Sequence, residues 1–296
     1  MRFPRILLAA CLAAALLLAV ACGGSGGDSG SGGTSSERLG DTSELLVANP
    51  WEALGKSVDR FEEDVESVSA EFFFEMEMGG FTFGAEGTFG YRAPDEMYMV
   101  MDMNGGGDGL DLGEFGEFEI LLLGDEIYMN SGFTGWLKMS LDDFGAEGDS
   151  LRELLDGHAP LDYAQLIEDV GGEVQNLGDV TIDGTTYSKM RITTDFASLM
   201  DSIANSMGDS SLDPSEFGMD FSGPMTIDIL IDKATLLPYT FEANGQLAMG
   251  GETMNFAMNF KFFGYNGPVN IPPAPADAQS FEEGFGEAFG DFDAAE

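Results

Sequence analysis

Cys22 is the one residue whose surroundings assign it a definite reaction. Leu18-Ala19-Val20-Ala21 precede it and Gly23-Gly24-Ser25-Gly26-Gly27 follow, so the thiol stands between an apolar run and a run with almost nothing to bury. Arg2 and Arg5 form a positive start, and Ile6 to Val20 is too short to span a bilayer comfortably. The pattern reads as a bacterial lipoprotein signal over residues 1–21, with Cys22 acylated and left as the new N-terminus. An ordinary cleaved secretory signal also fits, because Ala19 stands where such a box more often carries Leu.

Little other chemistry is available. Cys11 leaves with the signal, so no disulfide, thiolate nucleophile or cysteine-ligated metal is expected in the processed chain. The single histidine, His158, lies in Gly157-His158-Ala159-Pro160 without a GxSxG elbow, and one histidine excludes the two-His zinc motifs. No GxxxxGK or GxGxxG phosphate cradle opens a helix. Asp102 to Glu114 looks like a calcium loop until the spacing is checked. The twelfth position from Asp102 is Gly113 and not the required Glu, so an acidic turn is expected there. Carboxylates and hydroxyls are so abundant that any acid–base pair would be arbitrary. The sequence predicts no enzyme, no cofactor and no metal.

The formal net charge is −41, and loss of Arg2 and Arg5 makes it two units more negative. Such a surface repels phosphates, which excludes nucleic acid as a partner and leaves a lipid tether or bridging cations as the means of holding the chain at an anionic membrane.

The elements that position these residues follow from composition. Residues 22–43 are rich in Gly and Ser and predict a flexible linker with an end-to-end distance of about 25 Å. Residues 44–275 form the expected folded domain. Asn49 caps and Pro50 starts a helix carrying Leu54, Val58, Phe61, Val65 and Val68 on one face. From Val68 the period changes to two, and alternating segments follow at 68–78, 81–92, 97–103, 118–123, 126–130 and 136–139. Two helices are expected at 150–155 and 161–170, then a hairpin turned by Asp183-Gly184, a short helix within 196–207, and strands at 225–231, 239–249 and 253–263. Residues 276–296 form an acidic tail in which Phe281, Phe285, Phe289 and Phe292 recur at four, four and three. That is helix spacing, but the interleaved glycines favour order only when bound to a groove in this chain or in a partner.

The apolar faces are unusual in content. Phe72, Phe74, Met76, Met97, Met99, Met101, Met129, Met254, Phe256, Met258 and Phe260 all fall on inward positions of the strands, and the chain holds 17 Met and 24 Phe. Unbranched, polarizable Met repacks around variable shapes, so this face suits acyl chains. The same stripe also fits a plain core between sheet and helices.

The order of motifs resembles the LolA-like envelope lipoproteins, in particular the LppX/LprAFG branch. The resembling segments are Ile127-Tyr128-Met129 with Gly135-Trp136-Leu137-Lys138, the Ile182 to Tyr187 hairpin, Ile229-Leu230-Ile231-Asp232 with Leu237-Pro238, and Tyr265 to Pro273. The resemblance implies an α+β fold, a strongly curved antiparallel half-barrel with helices covering its concave face. It also implies a cavity holding lipid or the acyl chains of a lipoprotein, for transport or transfer across the envelope, with an envelope protein as a further partner. The other reading is a non-catalytic structural or interaction lipoprotein whose acidic loops meet cations.

Overall fold

The computed structural model describes residues 45–107, 110–111, 116–132, 134–144, 171–195, 197–198, 219–220, 223–249, 252–281 and 284. Asn49 caps α1 (Pro50–Asp64) by accepting the Glu52 N–H at 3.4 Å, and Pro50 fills a first-turn position that needs no donor. Ala53, Leu54, Ser57 and Phe61 recur at helical spacing and are buried. Val65 ends the helix in an extended conformation, its N–H donating to the Phe61 carbonyl at 3.2 Å, and the chain passes directly into β1 (Ser67–Met78).

β1 turns through Gly79 and Gly80, both at positive φ, into β2 (Phe81–Arg92). β3 (Glu96–Gly107), β4 (Leu110–Asp111), β5 (Glu117–Leu123), β6 (Glu126–Asn130) and β7 (Trp136–Ser140) follow, and a short 3-10 helix (Leu141–Phe144) ends this half. The second half contains β8 (Glu173–Ile182), β9 (Thr185–Asp195), β10 (Met219–Asp220), β11 (Pro224–Asp232), β12 (Pro238–Met249), β13 (Glu252–Phe263) and β14 (Gln279–Ser280). The Asp183-Gly184 turn forms as expected, with φ of 50° and 85°.

One curved, unclosed sheet runs in the order β14-β7-β6-β5-β3-β2-β1-β13-β12-β11-β9-β8, with β4 and β10 as short additions. Each half is a meander, and the seam between them is the antiparallel pairing of β1 with β13, from Ser69 opposite Phe263 to Met78 opposite Met254. Strand period two then places one residue set on an inner face and the other on an outer face. The inner face feeds two buried clusters. One joins Phe61 and Val65 to β1, β2, β3, β5, β6, β7 and β13; the other joins Ala53 and Leu54 to β9, β11 and β12. α1 therefore packs on the inner face across both halves.

Helical cover of this face was expected from more than one helix. Among the described residues it consists of α1, the turn at 45–48 and the 3-10 helix. The helices expected at 150–155 and 161–170 lie outside the described residues, as do Cys22, His158 and the linker; of the helix expected within 196–207, only 197–198 are described, and they are helical. The acidic turn expected after Asp102 starts later than predicted. β3 continues through Gly105, Gly106 and Gly107, where Gly105 and Gly106 pair with Phe83 and Thr82, because glycine fits a ladder without contributing to the side-chain pattern.

After β13 the chain crosses the outer face. Asn266, at φ 54°, fixes the start of this strap: its Oδ1 accepts the Glu66 N–H at 2.7 Å, its Nδ2 donates to the Asp64 carbonyl at 2.6 Å, and its N–H donates to the Ser67 carbonyl at 2.8 Å. Val269 then lies over Gly90, where an added Cβ would come within 2.6 Å of its Cγ1. β14 pairs in parallel with Leu137 and Lys138 of β7 at the sheet edge.

A methionine and phenylalanine face as the candidate ligand site

Register assembles the site row by row. Phe72 stands opposite Phe260 on one side and Gly87 on the other, with Met101 next across β3. Phe74 stands between Met258 and Ala85, and Met76 between Phe256 and Phe83. A fourth row runs Ala70, Phe89, Met99, Ile120, Met129, Leu137. The eleven residues singled out in the sequence thus share one face, Met97 two residues from Met99 on β3 and Met254 opposite Met78 at the far end of β13.

The rings are in contact. Phe72 and Phe260 stack with centroids 6.0 Å apart, and Phe241 and Phe262 lie 6.2 and 6.3 Å from Phe260. Large side chains alternate with small ones across the strands, and the Phe256 ring lies over Gly245, its carbons 2.5 and 2.6 Å from where a Cβ would stand.

Burial grades along the strands. Met99 is 1% exposed, Met129 5% and Phe260 6%, and Phe72, Met97, Met101 and Met254 are buried as well. Phe74, Met76, Met78, Phe81, Phe83, Phe256 and Met258 are half-buried and neighbour one another around the β1–β2 turn and β13. Met78, Phe81 and Phe83 extend the predicted set at this end; their alternation in the sequence already carried that signal.

Charge is kept to the other face. Glu71, Glu75, Glu77, Glu86, Asp102, Glu117 and Glu119 occupy outward positions of β1, β2, β3 and β5. Asp228 on β11 stands opposite Arg191, which grips it through Nε at 2.6 Å and Nη2 at 2.7 Å, while Lys189 approaches to 2.8 Å. The Arg191 hydrogen bonds chiefly, with Lys189, hold the Asp228 carboxyl down at about 2. Burial and the Glu119 carboxylate push the Tyr98 phenol, which donates to Glu119, well above its ordinary range. An open depression of about 410 Å³ is lined largely from this polar side by Glu75, Glu77, Asn244, Gln246 and Asn255. Among the described residues no three His, Cys, Asp or Glu side chains are placed to hold a metal, and no helix is long and apolar enough to cross a membrane. Apolar surface of this kind gains about 0.8 kcal/mol for each CH₂ removed from water against it.

The chain is similar in structure to the lipoprotein LppX of Mycobacterium tuberculosis. That likeness has a TM-score of 0.42 at 17% identity and covers 76% of this chain and 100% of LppX. LprF from Mycobacterium bovis gives 0.39 at 14% identity, over 79% of this chain and 96% of LprF. A LolA superfamily protein from Nitrosomonas europaea gives 0.26 at 10% identity, over 76% and 94%. By sequence, no family model and no curated protein matches the chain.

Proposed function

We propose that this protein is an extracytoplasmic lipoprotein, tethered through Cys22, that holds lipid or the acyl chains of a lipoprotein against its inner face for transfer across the envelope. The observation that carries the reading is the gathering of Phe72, Phe74, Met76, Met101, Met258 and Phe260 on one face, graded from buried to half-buried. Half-buried Met76, Met78, Phe81 and Phe83 beside the β1–β2 turn offer hydrocarbon a place to start, and Met side chains re-form around a chain of any shape. Placing carboxylates on the opposite face leaves the apolar one without a desolvation cost for charge.

The test is native mass spectrometry of the protein from residue 22 onward with Cys22→Ser, purified without detergent. Copurifying masses of acyl lipids, released on denaturation, are expected. A bare polypeptide mass, unchanged after incubation with phospholipid vesicles, would overturn the reading. The tether is tested separately in cells, where Cys22→Ser moves the protein from the membrane to the soluble fraction.

A further inference from the structure

Among the described residues four polar side chains are buried, and three of them are paired. Ser57 Oγ donates to the Leu236 carbonyl at 2.7 Å, Ser67 Oγ donates to the Gly267 carbonyl at 2.8 Å, and Ser188 Oγ accepts from Asn176 Nδ2 at 2.8 Å. The fourth is Thr194. It is 7% exposed, and among the described residues its hydroxyl is the buried side-chain oxygen left with neither a hydrogen bond nor an ion pair. A hydroxyl that has lost water without gaining a partner weakens the fold, and Val would fill the same space without that cost.

Its place on the sheet gives the hydroxyl a use. Strand period puts Thr194 on the inner face with Met190 and Ile192, at the end of a row that crosses the half-buried ligand face. Thr194 stands opposite Met225, and Gly245, Phe256, Met76 and Phe83 follow across the next strands. Met225 is buried and the other four are half-buried, so the row leads from the hairpin end inward to the hydroxyl. At about 4.8 Å per strand it is about 24 Å long, on the order of an extended long-chain acyl group. Gly245 leaves the strip beneath the Phe256 ring without a side chain of its own, so a turn of that ring uncovers sheet between Met76 and Met225. Asp195 fixes the backbone beside the hydroxyl: its Oδ1 accepts the Ser198 N–H at 3.0 Å and its Oδ2 accepts the Gly223 N–H at 3.2 Å. Charge narrows the head group. Each described Lys and Arg already meets a carboxylate, and Arg92, Lys138, Lys189, Arg191 and Lys261 stand on outward strand positions. A carboxylate carried to the inner face would find no cation, whereas an ester carbonyl needs only one donor.

From this geometry we propose that the Thr194 hydroxyl donates the hydrogen bond that holds the carbonyl oxygen of an acyl ester, whose hydrocarbon lies along the row toward Phe83. The inference rests on the acyl-binding reading of the inner face and narrows it to neutral, esterified ligands lying in one direction. The test uses the protein from residue 22 onward with Cys22→Ser, as the parent and with Thr194→Val or Thr194→Ser added. Each is titrated with methyl cis-parinarate, an ester, and with diphenylhexatriene, a hydrocarbon with no hydrogen-bonding group. Val keeps the shape and loses the donor, whereas Ser keeps the donor. Loss of one such bond is expected to weaken methyl parinarate binding to Thr194→Val about fivefold. Diphenylhexatriene binding stays the same, Thr194→Ser binds the ester as the parent does, and the ligand-free Thr194→Val protein unfolds at a higher urea concentration. Equal ester affinity in the parent and Thr194→Val, an equal loss for both probes, or Thr194→Ser as weak as Thr194→Val would overturn the hydroxyl as anchor while leaving acyl binding standing. A lower urea midpoint in Thr194→Val would show the hydroxyl to be paired within the fold and would overturn it too. A parent protein that binds neither probe overturns the acyl reading itself.

Discussion

Phe260→Ala and Phe74→Ala should part stability from ligand uptake. Phe260 is 6% exposed and touches three rings, Phe72 at 6.0 Å, Phe241 at 6.2 Å and Phe262 at 6.3 Å. Its truncation removes a full ring from a packed interior, and the Phe72, Phe241 and Phe262 rings cannot all close on the gap, so about 3–5 kcal/mol of stability is expected to be lost. Phe74 lies two residues along β1 from Phe72, is half-buried, and meets one ring, Phe83 at 6.3 Å. Water already reaches part of it, so about 1–2 kcal/mol is expected. For uptake the ranking reverses. Phe74 belongs to the half-buried end that the proposed function makes the point of entry, so its loss is expected to weaken parinaric acid binding, whereas a still-folded Phe260→Ala protein gains hollow space and is expected to bind at least as well. Urea unfolding followed by the fluorescence of Trp51 and Trp136 gives the first quantity and parinaric acid titration the second. Equal destabilisation by the two variants, or unchanged uptake in Phe74→Ala, would refute the graded face as the basis of entry.

Two further outcomes are expected. Asn266→Gly keeps the positive φ but removes the side-chain bonds to the Glu66 N–H and the Asp64 carbonyl, costing about 1–2 kcal/mol; Asn266→Ala adds about 1 kcal/mol for the left-handed backbone, and urea unfolding in which the two are equal would contradict the strain component. Asp228, held at about 2 in the fold, contributes stability that is present above its unfolded value of about 3.9 and is lost as pH falls from there toward 2. Asp228→Asn should cost about 1–2 kcal/mol at pH 7, the lower end reflecting the exposure of Arg191 and Lys189, and the gap from the native protein should shrink as unfolding is measured at progressively lower pH through that window.

The side-chain period in the sequence carried the faces and not the neighbours. From Val68 to Met78 and from Met254 to Phe262, alternation told which residues point together, and the register puts them together. That the two stretches pair with each other could not be read, since they lie about 180 residues apart and any apolar-faced strand offers the same edge. The glycines at 105–107 joined β3 unannounced because they carry no side-chain period. The Asn266 clasp is equally silent, since its partners Asp64 and Glu66 lie some 200 residues earlier. The start of α1 was legible because capping is local, Asn49 and Pro50 standing beside the first apolar turn; its end was not, since Val65 and Val68 continue the helical spacing although Val65 is already extended and Val68 lies in β1. Of the candidate site, the membership of the face was legible; its gradient from buried to half-buried was not, because burial depends on what crosses above each strand.

A broad sheet left open has two rims, and each rim is a template on which another molecule's strand can be added. Here neither rim is a long, regular ladder. One ends in β14, only two residues deep and running parallel to its neighbour. The other, β8, breaks step between Asn176 and Gly178, where Asn176 Oδ1 accepts the Gly178 N–H at 2.7 Å and its Nδ2 reaches back to the Leu46 carbonyl at 2.6 Å. Molecules crowded side by side therefore find no continuous border to stitch together, and a surface of strong negative charge holds them further apart. Among the described residues, a wide apolar sheet is thus bordered by edges that offer a neighbour's strand little to extend.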